Sequence, residues 1–267
     1  MFYDMHVHSV FSADGKSSLE EYAALFGGRR QGTIGFAEHV DFLPECGSYE
    51  FMDFQKYTSA IRGLRERGLD FYAGAEIDYI KLVEADIFKH LDEHRYDYTI
   101  CSVHMVDGVS VSDRNFPPAH ADREYLMGVL QNYYRQLEYS IKTNAFDVIG
   151  HIGVFKRYLA EDARDDRVLE SAVREAELEA AKLCACSDAI LEVNTSGLFS
   201  PYAHTLPEGD FLKHYYDFGG RLVCLGSDAH RTEDVARGFK EAGGLLKAAG
   251  FRHMTLPWDR ERRIELE

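Results

Sequence analysis

The chain has 267 residues, enough to bury a sizeable core; 45% hydrophobic and 28% charged side chains, with only 22 Gly and 6 Pro, exclude a disordered, collagen-like or linker-dominated protein. Forty-five acids against 30 Lys and Arg give a formal net charge of −15, which disfavours a nucleic-acid backbone as partner. No segment has the apolar length of a membrane span or the layout of a signal peptide, and five cysteines without paired spacing read as reduced thiols, so a cytoplasmic chain with no membrane contact is expected.

In chain order, the apolar and β-branched run Phe2–His8 predicts a first strand ending in His6 and His8. A helix over Ser18–Phe26 leads to the strand Thr33–His39, which ends in Glu38 and His39. After the helix Phe54–Arg67 comes the strand Asp70–Asp78, carrying Glu76 and Asp78 at its end. The helix Leu82–Leu91 precedes the strand Tyr96–His104. A long helix over Asp122–Lys142, with Tyr125, Val129, Leu130 and Tyr133 on one face, then leads to the strand Ala145–His151. The helix Arg167–Ser187, the strand Ala189–Thr195 with Glu192 and Asn194, and the helix Glu208–Phe218 follow. The last strand, Arg221–Asp228, runs into His230 and is followed by a helix over Glu233–Ala249. Seven βα alternations without an internal repeat predict one α/β domain over 1–267 with a parallel sheet, closed into a TIM-like barrel; an open doubly wound sheet has the same periodicity.

In such a barrel the site forms where the C-terminal strand ends meet, and metal-type side chains fall there. Six of the 12 histidines, His6, His8, His39, His104, His151 and His230, sit at these ends. Two-residue spacing puts His6 and His8 on one side of a strand, and the same spacing relates Asp228 to His230. With Asp14 and Glu76 these residues make nine candidate ligands, too many for one ion, so two or three are expected. Mixed imidazole and carboxylate donors suit zinc, manganese or iron rather than calcium. Glu76 is the natural bridge between ions, and the chemistry such a site supports best is hydrolysis of a small phosphate ester.

The motifs DMHVHSVFSADG (4–15), FAEHVDF (36–42), GAEIDY (74–79), CSVHMVDG (101–108), DVIGHIGVFKRY (147–158), EVNTSGL (192–198) and LGSDAHRTEDV (225–235) resemble, in family order, the polymerase-and-histidinol-phosphatase (PHP) superfamily, and within it the histidinol-phosphatase branch. The resemblance implies a distorted seven-stranded (β/α)7 barrel with a trinuclear centre. One ion would take His6, His8, Glu76 and Asp228; a second would share Glu76 and add His104 and His151; a third would take Asp14, His39 and His230. It further implies hydrolysis of L-histidinol phosphate, a step of histidine biosynthesis, by a hydroxide that bridges the ions at Glu76 and Asp228. Arg157 is the expected phosphate-binding residue, and Asn194 is read as orienting substrate or a ligand through its amide, with a strand-end hydrogen bond as the alternative. The chain departs from the pattern at Gly153, where the family usually has Asp, and at Phe199, where an Arg is frequent; another small phosphomonoester is the alternative substrate that these departures leave open.

Three other functions remain open at this point. An amidohydrolase also begins with a His-x-His strand, but no predicted strand here ends in the lysine that commonly bridges such sites. A nuclease or a phosphodiesterase acting on nucleotides is a nearer relative, disfavoured by the acidic balance. A metal-binding module without turnover would have no need of nine intact ligands. The segment Met105–Ala121 is expected to form a long loop that brings Arg114 toward substrate. His90, His94, His120, His204, His214 and His253 have no expected chemical role, although His204 is placed near the mouth. Oligomeric state leaves no trace in the sequence.

Overall fold

The computed structural model describes residues 1–26, 32–119, 121–159 and 161–266, so His120 lies outside the described residues. Seven parallel strands form one sheet: β1 (Phe2–Val7), β2 (Gly32–Val40), β3 (Phe71–Asp78), β4 (Tyr98–Ser102), β7 (Val148–Ile149), β8 (Ile190–Asn194) and β9 (Val223–Gly226). They are ordered as they occur in the chain, and two short strands, β5 (Met105–Val106) and β6 (Val109–Ser110), form a separate ladder beyond β4. The sheet closes at its C-terminal end, where the Asp228 amide donates to the His6 carbonyl and the His8 amide to the Ala229 carbonyl, both at 2.8 Å. The resulting barrel is uneven, since β4–β7 and β7–β8 pair at two positions each and the β1–β2 register shifts between Asp4 and Val7.

Among the described residues eight helices accompany the strands: α1 (Leu19–Ala24), α2 (Phe54–Glu66), α3 (Glu84–Glu93), α4 (Arg123–Thr143), α5 (Glu161–Arg164), α6 (Arg167–Cys186), α7 (Gly209–Asp217) and α8 (Phe239–Ala249). Side chains that take backbone amides of the first turn start four of them: Ser18, in a capping box with Glu21, Asp53, Asp122 and Asp166. The apolar stripe of α4, with Leu126, Val129, Leu130, Tyr133 and Leu137 buried, packs on α6, which packs on α7. Among the described residues no helix is long and apolar enough to cross a membrane, and all five cysteines are free.

The segment Met105–Ala121, expected as a loop, carries the β5–β6 ladder, α5 is unanticipated, and two features of the C-terminal part also differ from the sequence reading. The last helix starts at Phe239 rather than Glu233, because Thr232–Asp234 form a 3-10 turn and Ala236 and Gly238 take positive φ of 58° and 78°, which interrupts helical geometry. An unanticipated hairpin, β10 (His253–Leu256) and β11 (Asp259–Glu265), lies against the floor of the barrel. It stacks Trp258 on Tyr72 with ring centroids 3.7 Å apart, and Arg260 reaches Asp147 and the Asp188 carbonyl at 3.2 and 2.7 Å. Inside the floor, Gly35 and Gly74 lie against the Tyr98 ring, where a Cβ would collide, and the Tyr98 hydroxyl donates to the Met5 carbonyl at 2.7 Å.

Candidate metal centre

Alternation along β1 points Asp4, His6 and His8 to the same side. At the mouth, His6 Nε2 and His8 Nε2 are 3.0 Å apart, and they lie 3.2 and 3.4 Å from Glu76 Oε2. Asp228 Oδ1 completes the group, 3.9 Å from His6 Nε2 and 3.4 Å from His8 Nε2. On the other oxygen of the same glutamate, Glu76 Oε1 is 2.6 Å from His151 Nε2 and 3.3 Å from His104 Nε2. His39 connects this pair of groups to the rim, with Nδ1 at 3.0 Å from Glu76 Oε2 and Nε2 at 3.6 Å from Asp14 Oδ1. His230 Nε2 lies 2.9 Å from Asp14 Oδ2, and its ring stacks on that of His8 at 4.4 Å. All nine residues expected as ligands therefore come together.

The proton positions implied by the surrounding partners suit a cation. His6 Nδ1 meets the buried Glu192 Oε1 at 2.6 Å, so the proton sits there and the Nε2 lone pair faces inward. Ser12 Oγ donates to Glu38 Oε2 at 2.6 Å and accepts the His39 amide at 2.9 Å, which leaves it to accept the His8 Nδ1 proton at 3.1 Å. Two imidazole lone pairs then converge beside Glu76 Oε2, a buried oxygen with no hydrogen-bond donor. A divalent transition metal satisfies all three acceptors at once.

Without an ion, protons take the place of cations in the cluster. Burial opposes ionisation of Glu76, but the imidazoles of His6, His104 and His39 outweigh it and hold its carboxyl well below the ordinary range. Asp228 is held low in the same way against burial, by His8, His6, His230 and Arg157. Burial disfavours a charged imidazole at His6 and at His39, yet Glu192 and Glu76 raise His6, and Glu76 and Asp14 raise His39, well above the usual value. His8 behaves oppositely: burial and the neighbouring His39 and His230 push it down to about 3, leaving a neutral imidazole.

Three carboxylates beneath the cluster have no role in the sequence reading: Glu38 and Glu192 are noted there only as strand-end residues, and Asp4 is not noted. Glu192 also accepts the His151 amide at 2.6 Å, and Glu38 accepts the Ser9 hydroxyl at 2.5 Å. Asp4 accepts the Ser227 amide and hydroxyl at 2.9 and 2.5 Å and the Ala236 amide at 2.8 Å, pinning the loop on which Asp228 takes a φ of 55°. The signal that would have found them is a carboxylate inside an apolar strand run, which must have internal donors. Gly226 makes room for this layer, because a Cβ there would run into Glu192 and the Cβ of His6.

A cavity of about 760 Å³ opens over the cluster, and Arg157, Arg114, Asp41 and Asp78 contribute to its wall. Arg157, at the end of the 3-10 turn Val154–Arg157, donates to Asp228 Oδ2 and Ser196 Oγ, both at 3.1 Å. Asn194 is fully buried; its amide nitrogen donates at 3.1 Å to Glu192, the carboxylate that meets His6, and its oxygen accepts the Ser196 amide at 3.0 Å, which is the strand-end hydrogen bonding that the sequence offers as the alternative. Phe199 is outside the cavity wall, covered by the Arg237 guanidinium 3.3 Å from its ring centre. Gly153 has a φ of 86° and gives its amide to the Tyr133 hydroxyl at 2.9 Å. His204 packs on Tyr202, away from the cavity wall.

Residues 4–196 match the family model described as PHP domain. A probable histidinol-phosphatase of Thermotoga maritima is 27% identical over 263 residues, covering 95% of this chain and 94% of the relative. A histidinol-phosphatase of Lactococcus lactis is 26% identical over 267 residues, covering 94% of this chain and 93% of the relative. The crystal structure of the histidinol phosphate phosphatase from Lactococcus lactis, complexed with zinc, L-histidinol and phosphate, shares the fold with a TM-score of 0.79 at 22% identity, over 99% of this chain and all of that one.

Proposed function

We propose that this chain, which belongs to the PHP domain family, is a metal-dependent phosphomonoesterase that hydrolyses L-histidinol phosphate to L-histidinol and phosphate. The observation that carries the reading is Glu76, whose two oxygens lie within 2.6–3.4 Å of five imidazoles, those of His6, His8, His39, His104 and His151. One buried carboxylate at the meeting point of five nitrogen donors is what a polynuclear site needs from its bridge. The names of the relatives and the zinc, L-histidinol and phosphate held by the structural neighbour support the substrate.

Two or three ions of zinc, manganese or iron fit the donor set, with His6, His8, Glu76 and Asp228 as one group, His104 and His151 joined to it through Glu76, and Asp14, His39 and His230 as the outer group. When bound, such ions lower the pKa of water toward about 7 and offset charge on phosphoryl oxygens. The protein's share is positional. Glu192 and the Ser12–Glu38 pair keep the His6 and His8 protons on Nδ1, so that both Nε2 atoms stay free as donors. Arg157, whose guanidinium contacts Asp228, stands where it can take a phosphoryl oxygen through charged hydrogen bonds. The bond from phosphorus to the alcohol oxygen breaks, the bond to the water oxygen forms, and L-histidinol leaves. We place this activity in the cytoplasm, in histidine biosynthesis, and assign it to the whole chain as one domain.

Metal-replete protein incubated with L-histidinol phosphate is expected to release inorganic phosphate, to stop on chelation and to resume on adding zinc, manganese or iron. No release with any of these metals overturns the proposal. Faster turnover of bis-p-nitrophenyl phosphate than of p-nitrophenyl phosphate would replace it with a phosphodiesterase.

A further inference from the structure

The cavity wall is uneven in charge. Arg157 and Arg231 stand on the segments after β7 and β9, while Asp41 and Asp78 stand on the ends of β2 and β3; Lys16, Arg114 and Asp234 also reach the cavity, Lys16 and Arg114 as exposed cations that water screens. Parallel register pairs Val40 with Ile77, so these two acids follow side by side on adjacent strands. Asp78 is 1% exposed; its Oδ1 accepts the His104 amide at 2.7 Å, and its Oδ2 has no partner. Asp41 accepts the Ser48 amide at 3.2 Å. Among the described residues neither acid is joined to a Lys or Arg side chain. Glu45 and Asp113 also reach the cavity but are exposed, where water screens them.

The His104 imidazole lies near Asp78 and favours its charge, but a buried carboxylate beside a second one, with no Lys or Arg paired to it, is still unfavourable unless a further cation completes it. Strand alternation puts Asp78 on the same inward side as Glu76, roughly 7 Å further toward the mouth. That offset suits a substrate whose phosphate sits at the metal centre and whose cation sits two carbons beyond the ester oxygen.

We propose that Asp78, supported by Asp41, is the specificity residue of this cavity and takes the primary ammonium group of an amino-alcohol phosphate. The inference rests on the phosphomonoesterase reading above for the position of the phosphate. It says which part of the leaving group is recognised, and it sets amino-alcohol esters apart from neutral alcohol esters.

The test is calorimetric and needs no turnover. Metal-loaded wild type is titrated with L-histidinol and with the imidazolyl propanol that lacks its amine, and the same pair is titrated into metal-loaded D78N. Wild type is expected to bind L-histidinol at least about tenfold more tightly, as a charge-assisted contact implies, and D78N to lose most of that ratio while keeping its metal content. Equal affinities in wild type overturn the proposal without reference to any variant, which keeps it exposed if D78N does not fold. An unchanged ratio in D78N overturns it too, and loss of a metal equivalent would make Asp78 a ligand instead. If wild type keeps the amine preference but releases no phosphate from L-histidinol phosphate, the activity reading falls and the recognition by Asp78 stands.

Discussion

The two ends of the barrel use the same strands for opposite purposes. At the floor, Gly35 and Gly74 give way to the Tyr98 ring, its hydroxyl is taken up by the Met5 carbonyl, and the C-terminal hairpin adds the Trp258–Tyr72 stack. At the mouth, a few residues further along the same strands, His6, His39, Glu76, His104 and His151 converge with their charges close together, and Glu76 Oε2 is buried without a donor. The floor is complete without a ligand, whereas the mouth gathers donors that a cation would balance. Stability and chemistry are thereby separated along one set of strands, and that separation can be broken deliberately.

The largest effect is expected at the bridge. Glu76→Gln keeps the shape but removes the charge that five imidazoles surround, so phosphatase activity should fall by roughly a thousandfold or more with loss of at least one metal equivalent, read by phosphate release and elemental analysis. Full activity in this variant would contradict a bridging role. Next comes Arg157→Ala, expected to lower kcat/KM by roughly a hundredfold at unchanged metal content, with Arg157→Lys recovering only part of it because a point charge replaces a planar fork. A smaller effect belongs to Glu192→Gln, which leaves a donor or acceptor beside His6 Nδ1 but weakens its orientation; metal affinity should drop by about 10–100-fold, measured by chelator competition.

The mouth should also show itself through pH. In the metal-free protein, carboxylates outweigh burial to raise His6 and His39, so the stability that their protonated forms contribute is present below about pH 6.5 and is lost as pH rises through the raised values. Metal must displace those protons, and the gain in thermal stability on adding zinc should therefore grow as pH rises above about 6.5. A gain independent of pH would count against this cluster as the binding site. At the floor, Trp258→Ala should lower stability by about 2 kcal/mol, modest for an aromatic deletion because the ring is half-buried, and leave metal content and turnover within about twofold of wild type.

Much of the mouth was legible in the sequence because its chemistry uses distinctive letters at strand ends. His6 with His8, and Asp228 with His230, carry the two-residue spacing of a shared face, and an apolar run before each of His104 and His151 marks where a strand stops. The supporting carboxylates were harder to read. The apolar runs around Glu38 and Glu192 say that each has internal partners, but only the three-dimensional positions of Ser9, Ser12 and His6 reveal which partners those are. Asn194 kept two readings for a related reason, since nothing local says that its amide is shared between Glu192 and Ser196. The floor was the least legible region: the β10–β11 hairpin owes its place to contacts of Trp258 and Arg260 with residues more than a hundred positions away, and no local pattern encodes those.

The account depends most on the nine side chains forming one cage for several ions. Anomalous diffraction from crystals of the zinc-loaded protein tests this directly, with zinc content determined on the same preparation. Two or three peaks are expected, one between His6, His8, Glu76 and Asp228, one near His104 and His151, and a third, if present, near Asp14, His39 and His230. A single ion, or peaks away from Glu76, would contradict the account.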